Sequence, residues 1–168
     1  MKEALIIIDL QNDYFEGGKF PLWNTDVVFE NIQKAIKKAA QKDIPIIFIE
    51  HIVPKEAGGL APFFNEGTQG AKIHGNLLEL APNAKIIRKA FADSFYETKL
   101  DKVLTELRID KILICGMMTQ NCVTHTAISK QAEKYKVSII PECCTTVDEM
   151  IHNIALNALS IRVDFETL

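Results

Sequence analysis

The sequence lacks the marks of several large classes of protein. Its aliphatic blocks, such as residues 4–8, are far too short to span a bilayer or to form the core of a signal peptide. A cytoplasmic protein with no membrane partner is therefore expected. Basic residues never cluster beyond pairs such as Lys37-Lys38, and the net charge is -3, so no nucleic-acid surface is expected either. Cysteine is scarce: the four are Cys115, Cys122, Cys143 and Cys144. No two have Cys-x-x-Cys spacing, which speaks against paired zinc ligands and a disulfide framework and for reduced thiols. There is no internal repeat and no low-complexity tract.

What is present is the mix of a single globular domain over residues 1–168, 48% hydrophobic and 24% charged. Continuous apolar runs at 4–8 and 44–49 read as strands covered on both faces. Further strands are expected at 84–88, 111–115, 137–140 and 160–163. Between them, the spacing of Val28, Ile32, Ala35, Ile36 and Ala39 predicts a helix ending near Lys42, opened by a cap among Asn24, Thr25 and Asp26. Other helices are expected at 98–107, 119–135 and 148–159. From 54 to 82 periodicity fades, which marks a long, packed loop of the kind that carries specificity. The alternation predicts a three-layer α/β/α sandwich around a mainly parallel six-stranded sheet, Rossmann-like in plan.

In such a sheet the carboxyl ends of all strands share one edge, where ligands bind. Asp9 ends the first strand, Glu50 and His51 the second, and Lys89 the third. The turn Gly116–Cys122 follows the fourth, and Glu142 follows the fifth. Cys122 opens a predicted helix, where free backbone N–H groups and the helix dipole favour thiolate. A thiol of ordinary acidity needs a base to act as nucleophile, and Asp9 can take its proton. Lys89 can hold Asp9 and meet developing negative charge. The turn before Cys122 can aim backbone N–H groups at an oxyanion. These parts suit attack on an amide carbonyl. The bland alternatives are a turn-capping Asp9, a surface Lys89 and a merely buried Cys122.

The same blocks resemble the isochorismatase-like cysteine hydrolases. Asp9-Leu-Gln-Asn-Asp-Tyr14 is similar to the family's Asp-x-Gln-x-Asp-Phe signature. Residues 89–95 with Thr98-Lys-Leu100 resemble its lysine segment, and Gly116 to Ala127 its cysteine segment. Glu66 to His74 resembles part of its long loop. The resemblance implies a triad of Asp9, Lys89 and Cys122, with a cis peptide at Met117–Met118. It also implies an oxyanion hole from the Met118 and Cys122 amides, and a substrate pocket drawing on Gln11, Tyr14, Phe15 and Thr119. It implies a small amide or ureido substrate, a thioester intermediate and a homo-oligomer. No cofactor and no metal are expected. Nicotinamide-hydrolysing members carry an Asp-x-His metal pattern after strand two, absent here; Glu50, His51 and His74 are the remaining candidate ligands. Trp23, Phe63 and Phe64 are further candidate pocket aromatics. His125 reads as packing rather than a base, and Cys143 and Cys144 have no assigned role. Three other readings stand beside the amidase: a metal-dependent nicotinamidase, a vinyl-ether hydrolase and a redox or binding protein.

Overall fold

The strands are β1 Glu3–Ile8, β2 Ile46–His51, β3 Lys85–Lys89, β4 Lys111–Met117, β5 Lys136–Thr145 and β6 Asp164–Phe165. The helices are α1 Thr25–Gln41, α2 Leu77–Leu80, α3 Leu100–Glu106, α4 Thr124–Ala127 and α5 Glu149–Ser160. These come from a computed structural model that describes residues 1–55 and 61–167. All strand pairs are parallel, in the order β3-β2-β1-β4-β5-β6. With the helices this makes the expected three-layer α/β/α fold. Among the described residues no helix is long and apolar enough to cross a membrane.

β1 lies between β2 and β4, and Ala4 to Ile8 are all buried. This is why its sequence is continuously aliphatic rather than alternating. The chain steps from β1 through β2 to β3 on one side, and from β4 through β5 to β6 on the other. The order therefore reverses between β1 and β4, and a crevice opens at their carboxyl ends. Gly116 makes the closest approach there. Its φ is +120°, and a Cβ would sit 2.1 Å from the Ile8 carbonyl oxygen. Only glycine lets β4 pass the end of β1 so closely.

The apolar face of α1 is buried as its spacing predicts, and α1 lies against β5. Its opening differs from the expectation: Asn24 adopts a left-handed conformation and makes no side-chain cap. Asp148 does cap α5, its Oδ1 accepting from the Ile151 amide at 2.8 Å. Three other elements also differ from the sequence reading. The helix expected over 119–135 is instead a π turn at Thr119–Val123, the single turn of α4, and a separate 3-10 turn at Ala132–Lys134. The Lys130 to Lys134 stretch has helix-forming residues, but the chain must reach the start of β5, and Tyr135 is tied to Asp101 at 2.9 Å. β5 runs past Pro141 to Thr145. The ladder is irregular there, with Ile114 facing Ile139 and Gly116 facing Cys144, so Pro141 falls where no regular ladder donor is required. β6 starts at Asp164 because α5 holds the chain to Ser160, with the Val163 amide bonded back to Leu159.

Candidate active site

Four strand ends bring one polar cluster together. Asp9 follows β1 in a left-handed conformation, φ 52°, which short polar side chains tolerate better than most. The turn takes its carboxylate out of strand alternation. Lys89 ends β3 and lies across from His51 in the β2–β3 register. Cys122 sits in the π turn after β4. Asp9 and Lys89 side chains are wholly buried, as is nearly all of Cys122.

Lys89 Nζ is the hub. It lies 2.9 Å from Asp9 Oδ2, 3.0 Å from His51 Nδ1, 3.0 Å from the Phe91 carbonyl oxygen and 3.2 Å from Cys122 Sγ. An ammonium has three N–H bonds, so these four acceptors share them. The sulfur accepts here, which leaves its own hydrogen free to turn elsewhere. A carboxylate oxygen of Asp9 lies within 4.8 Å of the sulfur, and Asp9 Oδ1 is buried with no hydrogen-bond partner among the described residues. That is an open acceptor at a place where an orphaned oxygen is costly.

The electrostatics follow from the geometry. Burial alone would push the Lys89 pKa down, but Asp9 and Cys122 outweigh it and hold the ammonium charged. Burial pushes the Cys122 thiol up, the Asp9 carboxylate adds to this, and Lys89 opposes both. The lowering of the thiol pKa expected from a helix start is therefore outweighed. The π turn and one α turn supply a weak dipole, while desolvation acts at full strength. The cluster is a buried Lys–Asp pair beside a thiol whose ionisation is opposed by burial and by Asp9.

Second contacts fix these groups. The hydroxyl of Thr126, on α4, donates to Ser94 Oγ at 2.8 Å and accepts from the Ser94 amide at 3.0 Å. This ties the segment after Lys89 to the helix after Cys122. Gln11 clamps the end of β2: Oε1 accepts from the His51 amide at 2.8 Å, and Nε2 donates to the carbonyls of His51 and Ala71. Its polar atoms face backbone, so it acts as a brace. The Met117–Met118 peptide is cis, and the Met118 carbonyl accepts from the Asn121 and Val123 amides.

The other residues singled out from sequence spread more widely. Tyr14 packs among Phe20, Phe63 and Phe64, and its hydroxyl has no hydrogen-bond partner among the described residues. Burial raises its pKa, with further contributions from Asp9, Cys122 and Asp13. Phe15 stacks on His74 at 3.6 Å and meets Phe29 edge-on. The buried hydroxyl of Thr119 lies 2.9 Å from His152 Nδ1, and Trp23 packs near the same ring. His125 is bonded to the Asn121 carbonyl. Cys115, Cys143 and Cys144 are free and buried.

A cavity of about 270 Å³ borders Lys89, lined also by Pro54, Glu66, Arg88, Phe91 and Glu97. The specificity loop expected over 54–82 falls partly outside the described residues, at 56–60. From sequence His51 reads as a metal ligand or as a residue that lines or braces the pocket wall, and its contact with Lys89 is not foreseen. The signal lay in the register between β2 and β3, which requires the strand order. Sequence reasoning also gave no role to Asp13, whose Oδ1 accepts from the Lys19 amide at 3.2 Å and Oδ2 from the Phe64 amide at 2.8 Å.

Comparison with known proteins places this cluster in context. The isochorismatase domain pattern matches residues 3–164. The isochorismatase family protein YddQ of Bacillus subtilis is 30% identical over 98% of this chain and 89% of its own length. The ureidoacrylate amidohydrolase RutB of Acinetobacter baylyi is 31% identical over 73% of this chain and 62% of its own length. Among solved structures, the pyrazinamidase of Pyrococcus horikoshii in complex with zinc superposes with a TM-score of 0.90. It is 25% identical, with full coverage of both chains.

Zinc fits poorly here. Asp9, His51 and Cys122 do place ligand atoms within 4.8 Å of one another. However, the Lys89 ammonium is already hydrogen-bonded to all three, so a metal would have to displace a buried cation. The other candidate ligands point elsewhere. Glu50 pairs with Arg88 at 3.0 Å, and His74 Nδ1 lies 2.8 Å from Asn12 Oδ1. With its domain pattern matched almost from end to end and a relative aligned over nearly its whole length, the chain belongs to the isochorismatase family.

Proposed function

We propose that this isochorismatase-family hydrolase cleaves the C–N bond of a small amide or ureido compound through a thioester on Cys122. The observation that carries this reading is the single point where Lys89 Nζ touches both Asp9 Oδ2 and Cys122 Sγ while Asp9 Oδ1 stays open. A thiol pushed up by burial needs a base at the moment of attack, and Asp9 Oδ1 is the acceptor to hand.

In the first step Sγ bonds to the carbonyl carbon as its proton passes to Asp9. The oxyanion that forms is held by the backbone amides of Met118 and Cys122. The C–N bond then breaks, and Asp9 returns the proton to the departing nitrogen. In the second step water attacks the thioester, giving its proton to Asp9, and the acid leaves as Sγ recovers a proton. Lys89 holds the Asp9 carboxyl group in place throughout. Tyr14, with its unpartnered hydroxyl, lines the substrate pocket; Phe15 and Thr119 shape its walls from behind. The amide class is supported by relatives named as ureidoacrylate amidohydrolase and nicotinamidase.

The test is turnover of a panel of small amides and ureido compounds, read as released ammonia or acid. Wild type is expected to turn over at least one of them, and Cys122→Ala none. A Cys122→Ala protein as active as wild type would end this reading.

A further inference from the structure

We infer that His51 is the specificity-determining residue of this site: its Nε2–H, with its tautomer fixed by Lys89, grips a hydrogen-bond acceptor a few bonds from the scissile carbonyl. This rests on the reading of Cys122 as nucleophile and names the class of amide it takes.

A charged ammonium only donates, so the ring nitrogen 3.0 Å from Lys89 Nζ must accept. Nδ1 is therefore bare, and the proton of the neutral ring sits on Nε2. Burial and the adjacent ammonium both keep the ring neutral, outweighing Asp9 at 3.9 Å. Nε2–H has no partner among the described residues.

The position is also set firmly. Gln11 holds the His51 backbone at both its amide and its carbonyl, and the ring packs beside Phe64. The His51 side chain is 20% exposed, whereas those of Asp9 and Lys89 are closed to solvent. Among these three side chains the imidazole is thus the one that solvent reaches. A ring nitrogen of His51 lies within 4.8 Å of Cys122 Sγ, so an acyl group on the sulfur brings its nearby atoms to the ring. The ammonium on one side of the imidazole polarises the N–H on the other, strengthening it toward an acceptor such as a ring nitrogen, carbonyl or carboxylate. A purely hydrocarbon neighbour would leave that polarised donor unpaired, which disfavours such substrates.

Two measurements on the intact protein test this. Ring nitrogen chemical shifts of His51 are expected to show the neutral Nε2–H tautomer near pH 7; a neutral Nδ1–H tautomer would overturn the proposal. The second compares pyridine-3-carboxaldehyde with benzaldehyde, which differ by one ring acceptor. Either aldehyde adds to Cys122 as a thiohemiacetal: the C–S bond forms, the carbonyl π bond opens, and the thiol proton ends on the new hydroxyl. The ratio of the two dissociation constants is compared between wild type and His51→Phe, so the intrinsic difference in electrophilicity cancels. The preference for the pyridine is expected to fall about five- to tenfold in His51→Phe. His51→Gln, which keeps an N–H donor, should retain part of it and serves if the phenylalanine variant does not fold. An unchanged preference in the variants would overturn the role of His51 alone. Failure of both aldehydes to modify Cys122 would instead overturn the nucleophile beneath it.

Discussion

Asp9 and Asp13 stand four residues apart in one loop, both buried, and do opposite work. Both oxygens of Asp13 accept from backbone amides, those of Lys19 and Phe64, and its carboxylate packs where Gly70 leaves room. A Cβ on Gly70 would fall 2.0 Å from Asp13 Oδ1. Asp9 has one oxygen on a side-chain ammonium and one with no partner among the described residues. A carboxylate satisfied by rigid backbone braces a fold. A carboxylate half satisfied, by a group that also touches a thiol, is free to take a proton.

Four experiments break or sharpen that contrast. Asp9→Asn removes the proton acceptor while keeping shape, so kcat is expected to fall about a thousandfold, within the range for lost general base catalysis. Steady-state turnover on the best amide checks it. Lys89→Met leaves the Asp9 carboxylate buried without its cation, and a urea melt should show a loss of about 3–5 kcal/mol. Asp13→Asn gives the opposite profile. About 2 kcal/mol of stability should go, the worth of charge-assisted hydrogen bonds to backbone, while the folded fraction keeps near-normal kcat.

The fourth concerns pH. Burial and Asp9 raise the Cys122 pKa, so the thiolate fraction at pH 7 is lower than for an exposed cysteine and grows as pH rises. Iodoacetamide labelling of Cys122 in wild type should therefore be slow at pH 7 and quicken steadily toward pH 9. Asp9→Asn removes the negative neighbour, lowers the thiol pKa and should speed labelling at pH 7 several-fold, even as turnover collapses. Labelling left unchanged in Asp9→Asn would place the carboxylate away from the sulfur.

The same contrast shows what a sequence can carry. The aliphatic block before Asp9 and the period of α1 each depend on nearby residues alone, and both were legible. So was the gathering of Asp9, Lys89 and Cys122, because a parallel sheet sends every strand end to one edge. The break after Ala127 was hidden, since Thr126 is drawn away by Ser94, a partner 32 positions distant. The continuation of β5 beyond Pro141 was hidden because the proline rule holds only for regular ladders. His51 needed the β2–β3 register, and the difference between Asp9 and Asp13 needed the identity of their partners. In sequence they are simply two aspartates flanking a glutamine.

The most direct measurement is peptide mass spectrometry of the protein quenched in acid during turnover of an amide. The expected result is the substrate's acyl mass on the peptide holding Cys122 in wild type, absent in Cys122→Ala. Full turnover with no acyl mass on Cys122, and undiminished in Cys122→Ala, would contradict the account.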